Sequence, residues 1–117
     1  MNGLPEDVDL SVFLGQQVDQ IRFSKWSVQL LFDGLTRIVI ESHISLSGID
    51  KSPRIEDYAA NATEICQLIG VKVTHAERIS EGGMALKMSS GMRIEIHNSN
   101  AHHESFQVHI GDEVLVA

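Results

Sequence analysis

The chain states one pattern twice. From Gly15 the order runs Gly15, Val18, Ile21, then Leu30, Phe32, Gly34, Arg37, Ile38 and Ile40. From Gly70 it runs Gly70, Val73, Ala76, then Leu86, Met88, Gly91, Arg93, Ile94 and Ile96. The offset is 55 between the opening glycines and 56 between Arg37 and Arg93, so the second copy carries one more residue in a turn. A duplicated segment is expected to build the same local structure twice, and both apolar faces then need a common core. The copies extend over about 15–48 and 70–111. A second echo joins their ends: Glu41-Ser42 with Gly48, against Glu104-Ser105 with Gly111. There the apolar phase disagrees, Ile44 and Leu46 against Phe106, Val108 and Ile110.

Within each copy the period is that of strands. Gln17–Phe23 alternates; Trp26, Val28, Leu30 and Phe32 then fall on one face with Ser27, Gln29 and Leu31 on the other. Asp33-Gly34 is a strong hairpin signal, because glycine supplies the positive φ of a primed turn, and Leu35–Glu41 returns. The second copy reads as Lys72–Ile79, Met84–Met88 and Met92–His97, with turns at Glu81-Gly82-Gly83 and Ser89-Ser90-Gly91. Ser105–Ile110, the Gly111-Asp112 turn and Glu113–Val116 form a terminal hairpin. Ahead of the first copy, Met1–Asp9 reads as a loosely docked lead-in, and Asp9 as the cap of a single turn over Leu10–Leu14 that ends at Gly15.

Between the copies the period changes. Ile55, Tyr58, Ala59, Ala62, Ile65 and Ile69 mark one face of an amphipathic helix over about 53–68. Ser52-Pro53 would start it and Gly70 would end it. The fold class expected is α+β: two antiparallel β-meanders related by an internal repeat, forming a sandwich or a half-open barrel, with one amphipathic helix between them. The 117 residues are read as a single domain that buries roughly two-thirds of its unfolded surface.

Composition narrows the function classes. Apolar residues make up 43% and charged residues 21%, as in an ordinary globular chain. Apolar runs are too short to span a bilayer, no leader-like segment opens the chain, and one cysteine suits a reducing compartment. The expected location is cytoplasmic, with no membrane association. A net charge of -7, with nine scattered basic residues, argues against nucleic acid as a partner and suits a basic protein.

Few residues offer chemistry. His97, His102, His103 and His109 could bind a metal if His97 ended one strand and His109 lay opposite on its hairpin partner. Their spacing matches no metal signature, however, and adjacent loop histidines are commonly solvated, so no metal or other cofactor is assigned. Cys66, near the C-terminal end of the expected helix, reads as a buried structural thiol, because that end disfavours a thiolate. No serine sits in a nucleophile elbow and no glycine run leads from strand to helix, so the chain is read as a non-enzyme. Trp26, Arg37, Arg93 and Glu104 remain as partner-binding candidates, since Trp and Arg dominate interface hot spots. For Trp26 a place capping the core is the stronger reading. Arg37 and Arg93, equivalent in the two copies, should face outward together.

Leu68-Ile69-Gly70, Val73, Ala76, Leu86, Met88, Gly91, Ile94 and Ile96, followed by Glu104-Ser105-Phe106, Val108 and Gly111, resemble a family of small bacterial proteins of unassigned function. The resemblance covers about 14–116 and implies two similar halves and no catalytic residues. Ser-Ser-Gly at the second turn and the histidine-rich loop before Glu104 depart from its usual pattern. At the level of class, size and pattern are also similar to the immunity proteins of bacterial toxin systems, which cover a toxin's active site. The resulting expectation is a non-catalytic protein-binding domain, an immunity-type inhibitor of a basic toxin. The alternatives are an oligomerisation module that dimerises through exposed strand edges, and a His-based metal enzyme.

Overall fold

The computed structural model describes residues 4–48, 54–55, 58, 61–98 and 106–117. Strands β1 (Val18–Phe23), β2 (Val28–Phe32), β3 (Thr36–Ile40), β4 (Ile44–Ser47) and β5 (Arg54–Ile55) precede helix α1 (Ala62–Cys66). Strands β6 (Val73–Arg78), β7 (Met84–Met88), β8 (Arg93–Ile96), β9 (Phe106–Ile110) and β10 (Glu113–Val116) follow it. They make two antiparallel sheets, ordered β1-β2-β3-β9-β10 and β5-β4-β8-β7-β6. The fold is mainly β with one short helix, which corrects the expected α+β class. No helix among the described residues is long and apolar enough to cross a membrane.

The repeat is structural as well as sequential. β1 pairs with β2 through Val18↔Phe32 and Phe23↔Val28, with a register shift between Val18 and Gln20. β6 pairs with β7 through Val73↔Met88 and Arg78↔Met84, with its shift between Val73 and His75. Both first strands therefore bulge at the same place, and their burial alternates identically along six residues. The copies meet at an isolated bridge between Gln17 and Lys72. Around it the backbone bonds come in matched pairs. Gly15 N donates to Val73 O and Gly70 N to Val18 O, at 2.9 and 2.8 Å. Val73 N donates to Gln16 O and Val18 N to Val71 O, at 2.9 and 3.0 Å. A local two-fold axis thus runs between Gln17 and Lys72, and the two glycines beside it hold φ of +81° and +84°, where a Cβ would be strained.

The fourth strands are exchanged. β4, which follows the first meander, pairs with β8 of the second, while β9 pairs with β3 of the first. The equivalent registers are Ile44↔Ile96 and Leu46↔Ile94 in one sheet, Phe106↔Ile40 and Val108↔Ile38 in the other. Ile44 therefore corresponds to Phe106 and Leu46 to Val108, an offset of 62. The echo of Glu41-Ser42 in Glu104-Ser105 runs one residue out of step, which is why its apolar phase disagreed.

The helix is the largest correction. Within the expected 53–68 segment, Arg54–Ile55 is a strand pairing with Ser45 and Ile44, and among the described residues only Ala62–Cys66 is α-helical. The unpaired edge of β4 offers backbone partners that a short isolated helix cannot match. The expected start at Ser52-Pro53 and the contribution of Ala59 lie outside the described residues. Beyond α1 the chain tightens: Gln67, Leu68 and Ile69 N–H groups donate to the carbonyls three residues back, at 3.3, 3.0 and 3.1 Å. With three residues per turn, residues three apart eclipse. Ile65 and Leu68 point inward, whereas Cys66 and Ile69 are exposed. The expected burial of Cys66 and Ile69 fails for this reason.

One core joins both sheets. Val28, Leu30, Ile38, Ile40, Phe106 and Val108 of the first sheet meet Ile44, Met84, Leu86, Ile94 and Ile96 of the second. Ser11–Phe13 forms the expected single turn, with Asp9 Oδ1 accepting the Ser11 N–H at 2.9 Å. That turn delivers Phe13 edge-on to Phe32, ring centroids 5.2 Å apart. The lead-in is more firmly docked than expected: Leu4 is buried, its N–H reaches Gly82 O, and its carbonyl accepts Arg78 Nε at 2.8 Å.

Candidate functional site

The outer faces of the two sheets are built on one template and have diverged. Cross-strand register on the first sheet gives one row of Gln20, Leu31, Arg37, His109 and Val114 and a second of Arg22, Gln29, Val39, Gln107 and Val116. The equivalent rows on the second sheet are His75, Lys87, Arg93, Ser47 and Glu77, Ala85, Glu95, Ser45. Arg37 and Arg93 occupy one structural position, both on outer faces, but on different sheets. The expectation that they face outward together is corrected.

On the second sheet the arginine is answered within the chain. Arg93 Nη1 lies 3.1 Å from Glu77 Oε1 and its Nε 3.0 Å from Glu95 Oε2. Burial acts to lower the Arg93 pKa, but the hydrogen bonds and charges of Glu95 and Glu77 outweigh it and the net shift is upward. Ala85, the cross-strand neighbour of both glutamates, is buried. On the first sheet the positions of Glu77 and Glu95 are held by Arg22 and Val39. Arg37 makes no ion pair among the described residues, and no carboxylate stands in either row.

Beside Arg37 lies a groove of about 350 Å³ between the β2–β3 and β9–β10 turns. Leu31, Leu35, Arg37, His109, Gly111 and Asp112 form its walls, with Phe32, Gly34 and Thr36. Leu35 is 85% exposed at its rim, and its carbonyl accepts the Gly111 N–H at 2.7 Å, which ties the two turns together. The β2–β3 turn is held from beneath: Asp33 Oδ1 accepts the Gln17 N–H at 3.0 Å, and the Thr36 hydroxyl donates to Gln16 Oε1. Gly34 does not adopt the positive φ expected of it. A Cβ there would lie 2.8 Å from Gln16 Oε1, so a side chain at this position would have to displace the Gln16 amide that accepts from Thr36. His109 Nε2 is 2.9 Å from Gln107 Oε1. Burial, and next the charge of Arg37 across the strand, push the His109 pKa down from its ordinary value.

The remaining candidates do not assemble here. His97 follows β8 in the second sheet and His109 sits on β9 in the first, so the proposed hairpin pair does not exist: β9 pairs with β3 and β10, and β8 with β4 and β7. His102, His103 and Glu104 lie outside the described residues. Among the described residues no group of three or more His, Cys, Asp or Glu side chains is placed to hold a metal. Instead His97 stacks on His43 with centroids 4.4 Å apart, a pairing across β4 and β8 that the sequence spacing did not suggest. Trp26 is 74% exposed rather than capping the core. It belongs to the Ser24–Ser27 turn, closed by Ser24 N–H to Ser27 O at 2.9 Å, so the alternation of β2 does not extend to it. Lys25 Nζ sits 5.0 Å from its ring centroid. Trp26 precedes β2 and Leu35 follows it, which puts the five residues of that strand, roughly 17 Å, between them.

The protein defined by this geometry is an internally duplicated two-sheet β domain with one outer face closed by ion pairs and one left open. Residues 10–117 match the family of unknown function DUF6188, and the chain belongs to that family. No curated protein and no solved structure matches it.

Proposed function

We propose that this chain is a non-catalytic protein-binding domain that docks a partner on the outer face of its first sheet. The observation that carries this reading is the contrast between equivalent faces. One is closed by Arg93 with Glu77 and Glu95, while the other exposes Leu35 and Val114 beside a groove and an Arg37 that has no ion pair among the described residues. Exposed aliphatic residues grouped with an arginine are the composition of an interface centre rather than of a solvated sheet. We read the two sheets as a sandwich joined at the Gln17–Lys72 bridge, forming a single domain that works in the cytoplasm.

The net charge of -7 favours one specific version, an immunity-type inhibitor of a basic bacterial toxin. In that version the overall charge steers a basic partner and the open face makes the contact. The test is affinity measurement with a captured partner. Leu35→Asp should weaken binding at least about tenfold with the fold intact, while Lys87→Asp, at the position equivalent to Leu31, should not. Binding unchanged by Leu35→Asp would remove the face from consideration.

A further inference from the structure

Resting on that docking face, we infer that Arg37 is a carboxylate anchor: the partner seats an aspartate or glutamate side chain on its guanidinium and an adjacent apolar side chain in the groove beside Leu31 and Leu35. The chain carries its own template for this contact. At the equivalent position Arg93 takes two carboxylates, Glu95 at 3.0 Å from two residues along its own strand β8 and Glu77 at 3.1 Å from β6 on the far side of β7, in a sheet with the same register. The first copy keeps the arginine and replaces both acids, one by Arg22 and one by Val39. A guanidinium is a fork of donors with no way to lose its charge, and with no carboxylate answering it among the described residues, the carboxylate is assigned to the partner.

The surroundings favour that occupant. Leu31 and Leu35 lower the local dielectric beside Arg37, and a charge-assisted hydrogen bond gains strength where water is displaced. His109, across the strand from Arg37, adds a second group that becomes cationic on protonation. Asp112 lines the groove and makes no ion pair with Arg37 among the described residues. A second carboxylate is therefore repelled from the Asp112 side and enters over β3 and β9. A volume of about 350 Å³ has room for a leucine- or phenylalanine-sized side chain beside the acid.

The test uses the full chain, isotope-labelled, and three peptides with blocked termini: Ala-Leu-Glu-Phe-Ala and its forms with Gln or Lys in place of Glu. The Glu peptide should shift the amides of Leu35, Arg37, His109 and Gly111 and bind about tenfold more tightly than the Gln peptide. Arg37→Gln, at an exposed site where the fold is kept, should bring that ratio to one, and Arg37→Lys should retain part of it. Equal affinity for the Glu and Gln peptides would overturn the carboxylate anchor, as would a preference that survives Arg37→Gln or an absence of shifts at about 10 mM peptide. Light scattering that shows the chain self-associating through Arg37 would also overturn it, by assigning the face to a second copy. If Glu and Gln peptides bind equally and Leu35→Asp abolishes both, the docking face stands and only the anchor falls.

Discussion

At the scale of single residues, what matters most is which groups lack freedom. Gly83 has ordinary backbone angles, but a Cβ built there would lie 2.5 Å from Ile96 O and 3.1 Å from Ile79 Cγ1. The first is a backbone atom of β8 and cannot swing aside. Gly83→Ala should therefore destabilise the fold by about 1–3 kcal/mol, read from the denaturant midpoint. His109 is constrained electrostatically. Burial is the larger cause of its lowered pKa and Arg37 the smaller, so Arg37→Gln should raise the His109 pKa only part of the way to 6.5. Because its folded pKa lies below the unfolded one, the unfolded chain binds more protons between the two values. His109's contribution to stability is complete above about pH 6.5 and is lost as pH falls towards the folded pKa. An NMR titration of the His109 ring in both proteins checks the order of the causes, and a full return to 6.5 in Arg37→Gln would reverse it.

At the scale of elements, eight of the ten described strands were legible, while β4, β5 and the extent of the helix were not. Alternation and turn residues located β1–β3 and β6–β10 to within two residues, because inward positions such as Val28, Leu30 and Phe32 face a common core. The groove was only half legible. Arg37 was visible as an equivalent of Arg93, but Leu31 and Leu35 read as ordinary strand and turn residues. The clue to the open face was the replacement of Glu77 and Glu95 by Arg22 and Val39 at aligned positions. The helix failed because a period of 3.6 was extended over a segment that is strand at Arg54–Ile55 and three residues per turn after Cys66. The tight turn makes its own prediction. Leu68, fully buried, eclipses Ile65, whereas Ile69, 46% exposed, eclipses Cys66. Leu68→Ala should cost about 2–5 kcal/mol, while Ile69→Ala should fall within about 0.5 kcal/mol of wild type. A continued α-helix would bury Ile69 and give both substitutions a comparable cost, which thermal melts would reveal.

At the scale of the whole molecule, the exchange of β4 and β9 makes the two copies depend on each other. A repeat in sequence is equally consistent with each copy closing its own sheet, and the pairing of Ile44 with Ile96 and of Phe106 with Ile40 distinguishes the alternatives. Here β3 of the first copy is covered on one side by β9, and β8 of the second by β4. Cutting the chain between residues 57 and 58 leaves one fragment whose β4 has no sheet to join and another whose β9 has none. Each fragment also loses half of the shared core, and a segment of that size supports little independent stability. Neither fragment should fold as a monomer. Each should be unfolded, or should pair with itself by placing its fourth strand against a second copy's third, as the local two-fold axis between Gln17 and Lys72 permits. Mixed together, the fragments should restore the native amide spectrum and a one-to-one complex, because every inter-copy contact is then available. A native-like spectrum from either fragment at monomeric mass would mean that each copy can close its own sheet, and would refute the dependence inferred from the exchange.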